Sequence, residues 1–245
     1  MRPGRGRSQP SMDMYAMSSF APLTLLAEEE REDEEQEEGC SDGAGSRRTS
    51  QDAAQRSGRG YQKWPFSDPL VWIDLEMSGL ILETDTIIEI ACIVTDSSLQ
   101  RQIEGPSIAI HHPDDVFDRM DAWCTEHHGA SGLTDRCKAS MISLEQAEEL
   151  VLDFVKQLMP PGVALLAGNS VHVDKTFLRR YMPMLHDYLN YRILDVSTVK
   201  ELCRRWYPKE WKRCPRKKNN HTALSDIRES IEELKHYRTA IFKKQ

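Results

Sequence analysis

Two carboxylates one residue apart, Asp74 and Glu76, sit in Leu70-Val-Trp-Ile-Asp-Leu-Glu-Met-Ser-Gly79, a stretch whose apolar, β-branched character predicts a buried strand. Strand side chains alternate between faces, so both acids project from one side while Ile73 and Leu75 face the other. Carboxylates held that close repel each other and resist burial, and an adjacent cation keeps both ionised. Ligands that offer only oxygen select a hard ion, Mg²⁺ or Mn²⁺. Taken alone, the pair reads equally well as two solvated acids on an edge strand. Partners later in the chain decide between the two readings. Asn169-Ser-Val-His-Val-Asp174 places a third acid just past a strand end, at the start of a helix, where open α/β sheets gather their ligands. His221-Thr-Ala-Leu-Ser-Asp226 adds an imidazole ahead of the last helix and a fourth carboxylate within its first turn. Four acids and a histidine on separate elements suit phosphodiester hydrolysis with two divalent cations, roughly 3.5–4 Å apart, that stabilise the attacking and leaving oxygens. His221 suits the general base, because its unperturbed pKa of about 6.5 lies near working pH.

The elements that must position these groups begin near Tyr61 to Asp68. Leu70–Glu76, Thr86–Thr95 and Glu104–His111 are apolar, β-branched strand segments joined by short turns containing Gly79 and Asp96-Ser-Ser98, which predicts an antiparallel meander. The period then becomes helical over Asp114–His127 and again over Ser143–Met159, where Ser143 and Gln146 form a capping-box pair and Pro160-Pro161 stops the helix. Val163–Ala167 and Arg192–Asp195 are short strands, each leading into a helix, Val173–Tyr181 and Ser197–Trp206. A last helix, Ala223–Ile241, follows a basic loop, and no internal repeat is visible. Three antiparallel strands followed by two β-α crossovers predict a mixed sheet covered by helices, an α/β fold.

Composition bounds what surrounds that fold. At 245 residues and 39% apolar, the chain supports one good-sized core with appendages, and no apolar run approaches the length of a membrane span. The net charge of −7 would ordinarily argue against a nucleic-acid partner. It is unevenly placed, however: residues 1–60 carry 12 acids against 8 basic residues, while Lys200 to Lys218 is strongly basic. The six cysteines lack C-x-x-C spacing and read as reduced intracellular thiols, without a zinc site or disulfide framework. Residues 1–60 lack an apolar period and read as a disordered acidic tail, with 61–245 as the folded domain. Arg2, Arg5 and Arg7 fit a mitochondrial presequence, although the acidic block Glu28–Glu38 is atypical of one, and the cytosol and nucleus stay open.

The three blocks Asp74-Leu-Glu76, Asn169 to Asp174 and His221 to Asp226 resemble, in order, the motifs of the DEDDh 3′–5′ exonucleases, whose fold is ribonuclease H-like. Residues 69–244 further resemble the oligoribonucleases, small RNA exonucleases of bacteria and mitochondria, and among them the vertebrate mitochondrial type. Trp123-Cys-Thr-Glu-His-His-Gly129, Leu166-Ala-Gly-Asn-Ser170, Tyr191-Arg-Ile-Leu-Asp-Val-Ser-Thr-Val-Lys-Glu-Leu202 and Arg205-Trp-Tyr-Pro208 carry this narrower match. The resemblance implies that Asp74, Glu76, Asp174 and Asp226 hold two divalent cations and that His221 is the general base. It implies Leu80 as an apolar wedge between the bases of a dinucleotide and Trp123 as an aromatic platform. His128, Ser170 and Arg192 would grip the substrate's 5′ phosphate, with Tyr191 reaching in from the second subunit of a homodimer. Short RNA, dinucleotides above all, would be the substrate and nucleoside monophosphates the products. Ser225, where relatives often carry a second Asp, and Ser78, in place of a common Thr, depart from the pattern, as does the acidic tail.

Blander readings accompany several of these residues. Asp174 alone reads as a helix-dipole acid and His221 as a loop histidine, and the ordered set favours catalysis for both. Trp123 reads either as a stacking platform or as core, and His127 and His128 as phosphate contacts or surface. The basic run from Lys209 is either a solvated loop or a means of drawing RNA inward. Two further readings of the whole chain are a broader RNA or DNA exonuclease and a catalytically silent, RNA- or partner-binding paralogue. The intact set Asp74, Glu76, Asp174, His221 and Asp226 argues against a silent copy.

Overall fold

The computed structural model describes residues 64–215 and 222–243. Three antiparallel strands come first, β1 (Leu70–Met77), β2 (Ile87–Thr95) and β3 (Gln102–Ala109). Four helices follow: α1 (Asp114–Asp118), α2 (Ala122–Ala130), α3 (Leu133–Ala139) and α4 (Leu144–Leu158). The second half alternates as β4 (Leu165–Gly168), α5 (His172–Tyr181), α6 (Pro183–Tyr188), β5 (Ile193–Asp195), α7 (Val196–Trp206), α8 (Pro208–Arg213) and α9 (Ala223–Ala240). The sheet runs β3-β2-β1-β4-β5, antiparallel through the meander and parallel from β1 onward. This is the mixed, helix-covered sheet expected from the pattern of elements.

Alternation along β1 divides the molecule into two layers. Val71, Ile73 and Leu75 pack with Ala147, Val151 and Val155 of α4 and with Phe177 and Leu178 of α5. Leu70 and Trp72 pack on the other face with Val196 and Cys203 of α7 and Ile227, Ile231 and Tyr237 of α9. The indole N–H of Trp72, fully buried, donates to Thr95 Oγ1 at 3.0 Å, so its polar edge is satisfied within the core. Asp74 and Glu76 continue the Leu70–Trp72 row and therefore emerge on the α9 side.

β4 pairs with β1 only over Leu70 to Trp72, so the second half of β1 runs on past the end of its parallel neighbour. Gly168 closes that end: a Cβ there would stand 3.2 Å from the Ile73 carbonyl oxygen and 3.1 Å from Val171 Cγ2. The acids thus lie in the crevice beyond the carboxyl end of a parallel pair.

Helix ends account for the differences from the sequence reading. The capping box at Ser143 and Gln146 is present. The expected single helix Asp114–His127 is instead two, because the Asp121 side chain accepts from Cys124 N at 2.7 Å and starts α2 afresh. α3, α6 and α8 were not expected: the first begins after a left-handed Gly132, and the other two carry Pro at their first turn, directly behind α5 and α7. Thus the basic stretch from Lys209 begins as a helix. His221 lies outside the described residues.

Candidate active site

Oxygens of Asp74 and Glu76 on β1 and of Asp226 in the first turn of α9 lie within 4.8 Å of one another. The period of β1 supplies two of them and the start of α9 the third. Asp226 is held there by its helix: its N–H bonds the Thr222 carbonyl, and its own carbonyl accepts from Ser230 Oγ at 2.7 Å. Ser225, the departure from the family pattern, binds within the same turn, its hydroxyl 3.0 Å from the Thr222 carbonyl.

Asp174 stands behind this trio. It is buried in the first turn of α5, and its Oδ1 accepts from Leu75 N at 3.0 Å, tying the helix to β1 between the two strand acids. Burial pushes its carboxyl up to about 7, against the opposing pull of the backbone N–H donors of Leu75 and of its own residue. Glu76 is pushed further, to about 8, first by burial and then by the charges of Glu89, Asp226 and Asp174, while Arg136 works the other way. A cluster that holds a proton near neutrality is one in which a cation would replace that proton. Oxygen-only donors fit a hard divalent ion, so the residues present suit Mg²⁺ or Mn²⁺.

Two charged residues that the sequence reading missed support the cluster. Glu89 pairs directly opposite Glu76 in the β1–β2 ladder and is 1% exposed. Arg136 of α3 clamps it through its two terminal guanidinium nitrogens, Nη1 to Oε1 at 2.6 Å and Nη2 to Oε2 at 3.4 Å. The signal was available: Glu89 is the only charge in the otherwise apolar run of β2. Its partner on a helix that was not foreseen was beyond reach.

His128 is buried, which corrects the surface alternative. Its Nε2–H donates to the Met77 carbonyl at 3.0 Å, and its Nδ1 lies 3.9 Å from Glu76 Oε2. Burial lowers its pKa and keeps the imidazole neutral. Trp123, five residues earlier on α2, is 59% exposed and stacks on His127 with ring centroids 3.9 Å apart, so the core alternative for Trp123 is also corrected. Leu80 is exposed on the β1–β2 connection.

Ser170 lies just past the carboxyl end of β4, beside Asp195 at the carboxyl end of β5, whereas Tyr191 and Arg192 immediately precede β5, at its amino end. Ser170 adopts φ 52°, and its N–H is shared by Asp195 Oδ1 and Ser197 Oγ, each 3.0 Å away. The two serine hydroxyls are 3.1 Å apart, so Ser197, at the start of α7, joins the group although the sequence reading did not single it out. Asn169 links this group to α9: its carbonyl accepts from Ser197 Oγ, and its amide donates to Ser230 Oγ at 2.7 Å. Arg192 lies over the exposed Tyr191 ring, 4.8 Å from its centroid.

A family model described as exonuclease matches residues 71–234, which with the sheet order and acid cluster defines the class: an exonuclease of ribonuclease H-like fold. Solved structures of exonuclease I share the fold. One has a TM-score of 0.57 at 15% identity, covering 71% of this chain, and the Escherichia coli enzyme with a dT13 oligonucleotide has 0.55 at 16%. This chain spans only 41% of the length of either. Three oligoribonucleases are far more similar. The mitochondrial one of Homo sapiens is 58% identical over 176 residues, 72% of this chain and 74% of that protein. Those of Arabidopsis thaliana and Marinobacter nauticus are 52% and 53% identical, covering 73% and 72% of this chain and 80% and 97% of their own lengths. The chain therefore belongs to the oligoribonuclease family of 3′–5′ exoribonucleases.

Proposed function

We propose that this protein hydrolyses RNA of two to a few nucleotides, dinucleotides foremost, to nucleoside 5′-monophosphates. The observation that carries the reading is the convergence of Asp74, Glu76 and Asp226 oxygens within 4.8 Å, with Asp174 buried behind them. Two divalent cations held by these four acids would neutralise charge on the scissile phosphate and on both reacting oxygens. The protein's own residues do the rest. His221, two residues ahead of α9, takes the proton of the attacking water. Leu80 and Trp123, exposed apolar groups, carry the bases by stacking. Ser170, Arg192 and His128 hold the 5′ phosphate, the guanidinium giving charge-assisted bonds; His128 Nδ1 lies 3.9 Å from Glu76 Oε2. Tyr191, exposed at 72%, completes the grip from a second subunit of a homodimer.

Residues 61–245 form the exonuclease domain in this proposal, and 1–60 are an appended tail. The name shared by the human, bovine and murine relatives, mitochondrial oligoribonuclease, supports a mitochondrial location. Among the described residues no helix is long and apolar enough to cross a membrane. The test is conversion of a 5′-labelled dinucleotide to mononucleotide by metal-stripped protein on addition of Mn²⁺ or Mg²⁺. Inertness toward the dinucleotide, or equal processing of dinucleotides and long strands, overturns the reading.

A further inference from the structure

The connection between β1 and β2 holds its two exposed apolar side chains, Leu80 at 67% and Ile81 at 62%, directly after the strand that carries the acids. Such a tip gains nothing from burial and is held by polar contacts behind it. Asp85 makes most of them: its Oδ2 accepts from Ile81 N at 2.8 Å and its Oδ1 from Ser78 Oγ at 3.2 Å. Ser78 Oγ in turn accepts from Thr86 N at 3.1 Å, which closes the base of the loop. Gly79 leaves room for this carboxylate, since a Cβ at that position would lie 2.4 Å from Asp85 Oδ2. From outside the loop, the Tyr181 hydroxyl shares its proton between the carbonyls of Leu82, at 2.7 Å, and Asp85, at 2.5 Å. Tyr181 is the last residue of α5, and Asp174 is in the first turn of the same helix. One ten-residue helix therefore braces β1 between its acids at one end and the loop at the other.

We propose that Asp85 and Tyr181 are positioning residues that hold the Leu80–Ile81 tip at a set distance from the acid cluster, so that it meets a nucleobase without first having to be ordered. This rests on the reading of Leu80 as a base contact. The loss expected from a freed loop falls on binding, because ordering the tip then opposes association.

The test is steady-state kinetics on a 5′-phosphorylated dinucleotide with the full-length protein. Tyr181→Phe, which removes only the hydroxyl, and Asp85→Ala are each expected to raise KM about tenfold with kcat within about twofold, the size of one lost hydrogen bond's organising effect. Asp85→Asn, which keeps an acceptor for Ile81 N, is expected to recover part of the loss. Calorimetric Mn²⁺ binding is expected to stay unchanged in all three, since none touches the acids. In a Leu80→Ala, Ile81→Ala background, Tyr181→Phe is expected to add nothing. If Leu80→Ala raises KM but Tyr181→Phe and Asp85→Ala do not, or if their effects persist in full in that background, the positioning role is overturned while the base contact stands. If Leu80→Ala leaves KM unchanged, the base contact itself is wrong, and the positioning role goes with it.

Discussion

The acid cluster and the rim around it depart from ordinary folding preferences in opposite directions. In the cluster, charge is taken out of water: Glu89 and Asp174 are buried, and Glu76 sits among the carboxyl groups of Asp74, Glu89, Asp174 and Asp226. At the rim, apolar surface is left in water, with Leu80, Ile81, Trp123 and Tyr191 all more than half exposed. Neither region stabilises the free protein, and in the proposed function each is relieved by a different partner, the cluster by cations and the rim by bases. The contrast separates two kinds of experiment. Changes in the cluster should trade activity for stability, whereas changes at the rim should alter affinity and leave stability alone.

The largest effect is expected in the cluster. Asp226→Ala and Glu76→Gln should abolish turnover and raise the melting temperature of the metal-free protein, because each removes a charge that folding must crowd. The sign can be worked out for Glu76, whose usual pKa of 4.5 is raised to about 8 in the fold. Between those values the folded state holds a proton that the unfolded state has lost. Stability of the metal-free protein therefore falls as pH rises from 4.5 through about 8, by on the order of a few kcal/mol, and Asp174 adds in the same direction. Glu76→Gln should flatten much of that slope, matching wild type below pH 4.5 and exceeding it above pH 8 in melts with chelator present. A wild-type slope in the variant, or retained hydrolysis, would break the contrast at its charged end.

The two regions also differ in how legible they are in the sequence. The acids were visible in the sequence because strand alternation fixes their facing and because His221 and Asp226 share a spacing, so local geometry did most of the work. Glu89 escaped notice although it is the one charge in an apolar strand, because its meaning depends on ladder register with Glu76 and on Arg136 from an unforeseen helix. The rim was invisible to periodicity. Nothing in the local pattern marks Leu80 or Trp123 as exposed; both came only from resemblance. The surface alternative for His128 came from the local pattern alone, and the fold overturns it by burying the ring against the Met77 carbonyl. Short helices were lost for a simpler reason: α3, α6 and α8 span two turns or less and announce themselves only through Gly132, Pro183 and Pro208.

Next in size is His221→Ala, expected to slow the chemical step roughly 10²–10⁴-fold, as loss of a general base does, with substrate affinity largely kept. Single-turnover rates across pH check it. The wild-type rate should rise as the imidazole loses its proton, and the variant should lack that limb. A variant with the wild-type rate and profile would remove His221 from the mechanism.

At the rim, Arg192→Ala should cost roughly one to two decades of affinity for a 5′-phosphorylated dinucleotide, the worth of a charge-assisted contact. It should cost much less against the same dinucleotide without that phosphate. Stability should not change, because Arg192 is exposed and its ring contact with Tyr191 is partly solvated. Competition binding across both ligands, beside a melt, separates the outcomes. An equal loss for both ligands would mean that Arg192 serves the fold or the subunit contact rather than the phosphate.

The smallest effect should come from deleting residues 1–60, which is expected to leave dinucleotide turnover, oligomeric state and melting temperature unchanged. The sheet, both of its helical layers and every group of the cluster and rim that the structure describes lie between Leu70 and Ala240. The acidic stretch Glu28–Glu38 has no run of apolar residues with which to cover either layer. Its negative charge would also repel the phosphates that the rim must attract, so any residual influence should be on association rate, and salt should suppress it. Assaying the truncated and full-length proteins at low and high ionic strength isolates that term. A truncated protein that loses turnover at both salt concentrations would place part of the working site in the first sixty residues and move the domain boundary.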